Sequence, residues 1–119
     1  MEDLYPRVIC RIQPWPEPVT RTFRHVNEKI YNFMQGKSEF LVTGNLKDWE
    51  RWDRLLHEIR TKTLTFGARY DEMDPEDMKR MATLMPHASN AFCPNGSHLC
   101  MWDDQEVYFD HLLRFLHTL

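Results

Sequence analysis

Apolar positions along this chain fall into a few short runs of clear period. Val19, Phe23, Val26 and Ile30 recur at spacings of four, three and four, which predicts one helix over residues 19–31 with a single buried stripe. Asp48 can cap a second helix, in which Trp49, Trp52, Leu56 and Ile59 share a face; the tryptophans there are read as packing. The β-branched run at residues 63–66, bounded by Gly67, predicts a buried strand. Met78, Met81 and Met85 then form a helical core stripe, opened by Asp74 as N-cap and Pro75 as first helical residue and stopped by Pro86. Residues 89–93 read as a second strand. Tyr108, Leu112, Phe115 and Leu119 predict a last helix that starts at Asp103 and Asp104. Residues 1–18 hold four prolines and are expected to be irregular. Residues 32–45 carry two of the four glycines and are expected to be a loop with a short extended piece at 40–43.

A strand, a helix and a second strand in that order predict a parallel pair with a right-handed crossover. The fold class is therefore α/β, with two parallel strands flanked by helices. Parallel sheets normally have several strands and bury both faces, so this pair reads as the edge of something larger. Asp71 follows the first strand and His98 follows the second, each in a loop at a carboxyl end, where α/β proteins place their chemistry. A carboxylate on one imidazole nitrogen fixes the tautomer while the other nitrogen takes a proton, which is the acid and base half of a Ser-His-Asp triad. On spacing alone, a capping aspartate and an unrelated loop histidine explain the two residues equally well.

Composition narrows the classes. The chain has 119 residues, a net charge of -3 and no basic stretch, which argues against a nucleic-acid partner. No apolar run approaches the roughly 18 residues needed to span a bilayer, and the amino end is acidic and Pro-rich instead of signal-like, so a cytoplasmic protein without a membrane partner is expected. Cys10, Cys93 and Cys100 make no CxxC pair and are read as free thiols, Cys100 as buried packing and not as a nucleophile. Only Gly36, Gly44, Gly67 and Gly96 are present, too few and too far apart for GxGxxG, a P-loop or a GxSxG elbow.

Four blocks carry a resemblance: QGKSEF at residues 35–40, GNLKDW at 44–49, GARYDEMDP at 67–75 and NGSHLCMWDDQEVYF at 95–109. Together, and in this order, they resemble the carboxyl-terminal part of a proline iminopeptidase, a serine peptidase of the α/β-hydrolase fold that removes amino-terminal proline. The similarity runs from about Cys10 to Leu119. It implies that Asp71 is the triad acid and His98 the triad base. It implies further that Glu39 and Glu72 hold the substrate's free α-amine, which two converging carboxylates do by charge-assisted hydrogen bonds. Without the resemblance, Glu39 would be read as a solvated loop carboxylate. Residues 1–45 would be part of a helical cap, and residues 46–119 the carboxyl-terminal part of the catalytic core. No cofactor and no metal are implied.

Lys37 and Lys62 stand where the family often has proline. A larger departure is that Ser38, Ser89 and Ser97 all lack the flanking glycines of a nucleophile elbow. The expected function is thus that of a proline iminopeptidase-like serine hydrolase acting on peptides with amino-terminal proline, of which this chain carries acid and base but no nucleophile. Alone it is expected to be inactive, and its partner would be a separate amino-terminal hydrolase chain. The alternative is a truncated or split gene product acting as a non-catalytic binding subunit.

Overall fold

The computed structural model of the chain describes residues 3–38, 41–49 and 52–119. Strands β1 (Thr63–Ala68) and β2 (Ala88–Cys93) are parallel neighbours, in register from Thr63 opposite Ala88 to Ala68 opposite Cys93. Among the described residues they form a two-stranded sheet. β1 runs two residues past the β-branched stretch because Gly67 and Ala68 are its buried end. Helix α5 (Pro75–Leu84) makes the crossover. Its start is set as the sequence suggests, with Asp74 Oδ1 accepting from the Glu76 N–H at 2.9 Å and Pro75 in the first turn. Thr65 Oγ1 donates to the Met78 carbonyl at 2.9 Å and ties the helix to the strand.

The expected single carboxyl-terminal helix is two: α6 (Cys100–Asp103) and α7 (Gln105–Leu116). Asp104 lies between them at φ -135°, since Asp103 and Asp104 turn their carboxylates back to the preceding loop and cap nothing. Tyr108 on α7 stacks on Phe66 of β1 at 4.4 Å, over a core of Ala68, Cys93 and Cys100. Leu119, expected on the buried stripe, is exposed.

The chain divides into two compact units, one of Met1–Trp15 with Asp53–Leu119 and the other of Pro16–Trp52. The described residues before 16 thus group with the strands. They are not simply irregular. Helix α1 (Tyr5–Val8) leads into Ile9 and Cys10, both buried, whose segment hydrogen-bonds to the loop after β2.

In the other unit, the helix expected over 19–31 is split into α2 (Glu17–Arg24) and α3 (Glu28–Met34). Asn27 is the reason: its backbone is non-helical and its side chain accepts from the Ile30 N–H at 3.1 Å, so it starts a new helix. Of the predicted stripe only Val19 is buried, while Phe23, Val26 and Ile30 are exposed. α3 runs into the expected loop, which turns at Gly36 (φ +106°) and closes with an antiparallel bridge between Ser38 and Leu41. The tryptophan helix shrinks to α4 (Trp52–Leu55) followed by a 3-10 turn, Leu56–Glu58; Trp49 is exposed before it, and Asp48 sits in a turn. Glu39 and Phe40 lie outside the described residues.

Candidate active site

Backbone hydrogen bonds join the two loops at the carboxyl ends of β1 and β2. Arg69 N–H donates to the Cys93 carbonyl at 3.1 Å and Tyr70 N–H to the Gly96 carbonyl at 3.0 Å, so the parallel pairing continues beyond the strands. Asp71 then turns sharply, its Oδ1 accepting from the Met73 N–H at 3.0 Å. The same oxygen lies 3.1 Å from His98 Nδ1, and Glu72 Oε1 lies 3.4 Å from that nitrogen. Asp71 and Glu72 side chains are 13% and 19% exposed, against 40% for His98, so the acids are sheltered and the base is reachable. His98 Nε2 makes no hydrogen bond among the described residues.

The electrostatics follow from this geometry. The hydrogen bond that His98 donates to Asp71 raises the imidazole above its ordinary value; burial opposes the rise, and the charges of Glu72 and Asp71 reinforce it. Burial pushes the Asp71 carboxyl up, but the bonds from His98 and the Met73 N–H outweigh it and hold Asp71 below the usual carboxylate value. Glu72 is raised, mainly by burial and further by Asp71 beside it. Its Oε2 is shielded from solvent and has no hydrogen-bond partner among the described residues. Ligand-type atoms of Asp71, Glu72 and His98 lie within 4.8 Å of one another, and the Nδ1···Oδ1 separation between His98 and Asp71 is that of a hydrogen bond.

The sequence reading did not find what holds the histidine loop. The N–H groups of His98 and Leu99 donate to the carbonyls of Val8 and Ile9, both at 2.8 Å. Ser97 is fully buried, its Oγ within hydrogen-bond reach of the Ile9 carbonyl, at 2.9 Å, and of Asp103, with a single proton to give to one of them. Asn95 N–H donates to Asp104 Oδ2 at 3.0 Å. The only signal in the sequence is the pair Asp103 and Asp104, which reads as a helix start. Cys100 is buried as packing, and its hydrogen bond with Cys93 lowers the Cys100 thiol and raises that of Cys93. Gly96 is required by the same crowding, since a Cβ there would stand 2.5 Å from the Cys100 Cβ and 3.0 Å from the Cys93 Cβ.

No protein-family model matches the chain. Individual proteins do. The chain is 43% identical over 119 residues to a proline iminopeptidase of Flavobacterium johnsoniae, covering all of this chain and 40% of that protein. It is 45% identical over 116 residues to one of Elizabethkingia meningoseptica, covering 96% of this chain and 39% of that one. In structure it is similar to VinJ, with a TM-score of 0.89 at 30% identity over the whole chain and 40% of VinJ. It is similar also to a proline iminopeptidase of Mycobacterium smegmatis, with a TM-score of 0.86 at 26% identity over 98% of this chain and 40% of that one. Two parallel strands flanked by helices, with these neighbours, define part of an α/β-hydrolase fold. Within that class, the chain is a homologue of the proline iminopeptidases, corresponding to their carboxyl-terminal part. It spans about 40% of the length of the curated relatives it matches.

Proposed function

We propose that this chain supplies the acid and base half of a proline iminopeptidase-type serine hydrolase, with the nucleophile and oxyanion donors contributed by residues outside these 119. One observation carries the proposal: Asp71 and His98 meet at 3.1 Å above two adjacent parallel strands, in the chain order acid then histidine that α/β-hydrolases use. In this reading Asp71 fixes the imidazole with its proton on Nδ1 and stabilises the imidazolium. His98 Nε2 takes the proton of the incoming serine and later gives it to the leaving amine. The relatives named proline iminopeptidase favour a peptide with amino-terminal proline as the substrate.

Glu72 suits the other end of that substrate. A sheltered carboxylate oxygen without a partner costs free energy until a donor meets it, and a protonated secondary amine brings two N–H donors and a positive charge. Glu39 is the second carboxylate of the same proposal, and the described residues of the unit 16–52 would be part of the cap. No helix among the described residues is long and apolar enough to cross a membrane.

The test is hydrolysis of a chromogenic proline amide by the chain alone and by the chain mixed with a polypeptide supplying the serine elbow. A positioned base contributes on the order of 10²-fold to 10⁴-fold and cannot replace a nucleophile. The chain alone should therefore be silent, and the mixture active only with His98 intact. Turnover by the mixture that survives His98→Ala would refute the catalytic role. Binding of the amide by the mixture without turnover would leave Glu72 as an amine site and point to a non-catalytic binding subunit.

A further inference from the structure

A general base works only if its ring is held in place, and the His98–Asp71 pair does not hold itself. His98 stands in residues 94–99, which contain no helix or strand, and its side chain is 40% exposed. The restraint comes from one carboxylate. Asp103 Oδ1 accepts from the Ser97 N–H at 2.9 Å, and Asp103 Oδ2 accepts from the Arg11 N–H at 2.9 Å and from the buried Ser97 hydroxyl. Three donors from two segments distant in sequence thus converge on two oxygens. Arg11 extends the link: its guanidinium donates to the Asn95 carbonyl at 2.9 Å and lies 3.7 Å over the ring of Tyr70, the residue before Asp71. Asp103 is therefore bonded directly to the residue before the base and, through Arg11, coupled to the residue before the acid.

We propose that Asp103 is a positioning residue that sets His98 against Asp71, acting through Ser97 and the Arg11 segment. The inference rests on the reading of Asp71 and His98 as acid and base. A carboxylate is needed because an amide has one acceptor atom, and its NH₂ group would face donors already pointing at it. Asp104 offers the comparison within the same loop, since its Oδ2 receives the Asn95 N–H and an amide oxygen could do the same.

The experiment follows the His98 ring by NMR as pH is varied, in the chain and in four variants. The groups whose charge the ring senses are Asp71, Glu72 and the Cys100 thiol. Asp103→Asn is expected to lower the His98 pKa by about half a unit or more, because a displaced ring loses its contact with Asp71. Ser97→Ala should lower it less. Asp104→Asn, which removes the same charge nearby, should leave it unchanged. A folded Asp103→Asn protein, with the β1, β2 and α7 amide shifts retained and the His98 titration unmoved, overturns the inference. If that variant does not fold, an unmoved titration in Ser97→Ala overturns it instead. Asp71→Asn separates the two levels: if it leaves His98 unmoved the acid–base reading fails, and if it moves His98 while Asp103→Asn does not, only the positioning role fails.

Discussion

Residues 16–49 and the loops around His98 are built by opposite means. In the first region each helix is determined within a few residues of itself: Asn27 caps α3 through Ile30, Glu17 pairs with Arg21 at 3.7 Å, and the Thr22 hydroxyl bonds to the Pro18 carbonyl. In the second, Ser97 Oγ lies 2.9 Å from the Ile9 carbonyl across 88 residues and the Arg11 N–H bonds to Asp103 across 92. Burial divides the same way. Phe23, Val26, Ile30, Phe33, Leu41 and Trp49 are exposed in the one region, whereas Cys10, Cys93, Ser97 and Cys100 are buried in the other. Local bonds give helices whose apolar residues, among those described, are mostly exposed, while distant bonds fix a loop that has no regular structure of its own.

The comparison breaks most sharply at Gly96. Replacing it with valine sets a branched side chain against Cys93 and Cys100, at an expected cost of about 3 kcal/mol or more. The loss should appear in the melting of β1 and β2, while the helical signals of residues 17–34 persist. If both regions unfold together at the same temperature, their independence is disproved. Asn27→Ala makes the converse cut, costing about 1 kcal/mol of local stability. Amide exchange should quicken in residues 28–34 and stay unchanged at Ala68 and Cys93.

The smallest effect is that of pH, because His98 is too exposed for its pairing to act at full strength. His98 is raised, so the stability it contributes is complete below its unfolded value of about 6.5 and is lost as pH climbs through its folded value. Glu72, also raised, contributes in the same sense from about 4.3 upward. Asp71 is lowered, so its share is present above about 3.9 and is lost as pH falls through its folded value. The chain should melt higher at pH 5 than at pH 8, and His98→Gln should shrink that difference. An equal difference in the variant would place the pH dependence elsewhere.

Which features the sequence disclosed follows from the same contrast. β1, α5 and β2 were legible because each is marked on the spot, by a β-branched run, by Asp74 with Pro75, and by a short apolar segment. The approach of Asp71 to His98 was legible because adjacent parallel strands bring their carboxyl ends together. Asp103 was misread because two of its partners are backbone N–H groups, which leave no trace in a pattern of side chains, and one of these belongs to residue 11. The split of the predicted helix at Asn27 was missed for another reason: the apolar period continues across it, and a cap that competes with a continuous stripe is weighed only when the backbone is seen. Resemblance to proline iminopeptidases supplied an expectation that periodicity could not, that Glu39 and Glu72 meet an amine.

The long reach of residues 8–11 also fixes an order of events. Closing a loop of this length costs only slightly more entropy than closing a shorter one, but contacts so distant in sequence form slowly. As the chain is synthesised, Val8, Ile9 and Arg11 emerge well before Ser97, His98 and Asp103 and must wait for them. β1, α5 and β2 can pair in the meantime. On this order the imidazole is expected to gain its fixed place late in folding, and a chain interrupted before Asp103 would have its two strands without a restrained His98 loop.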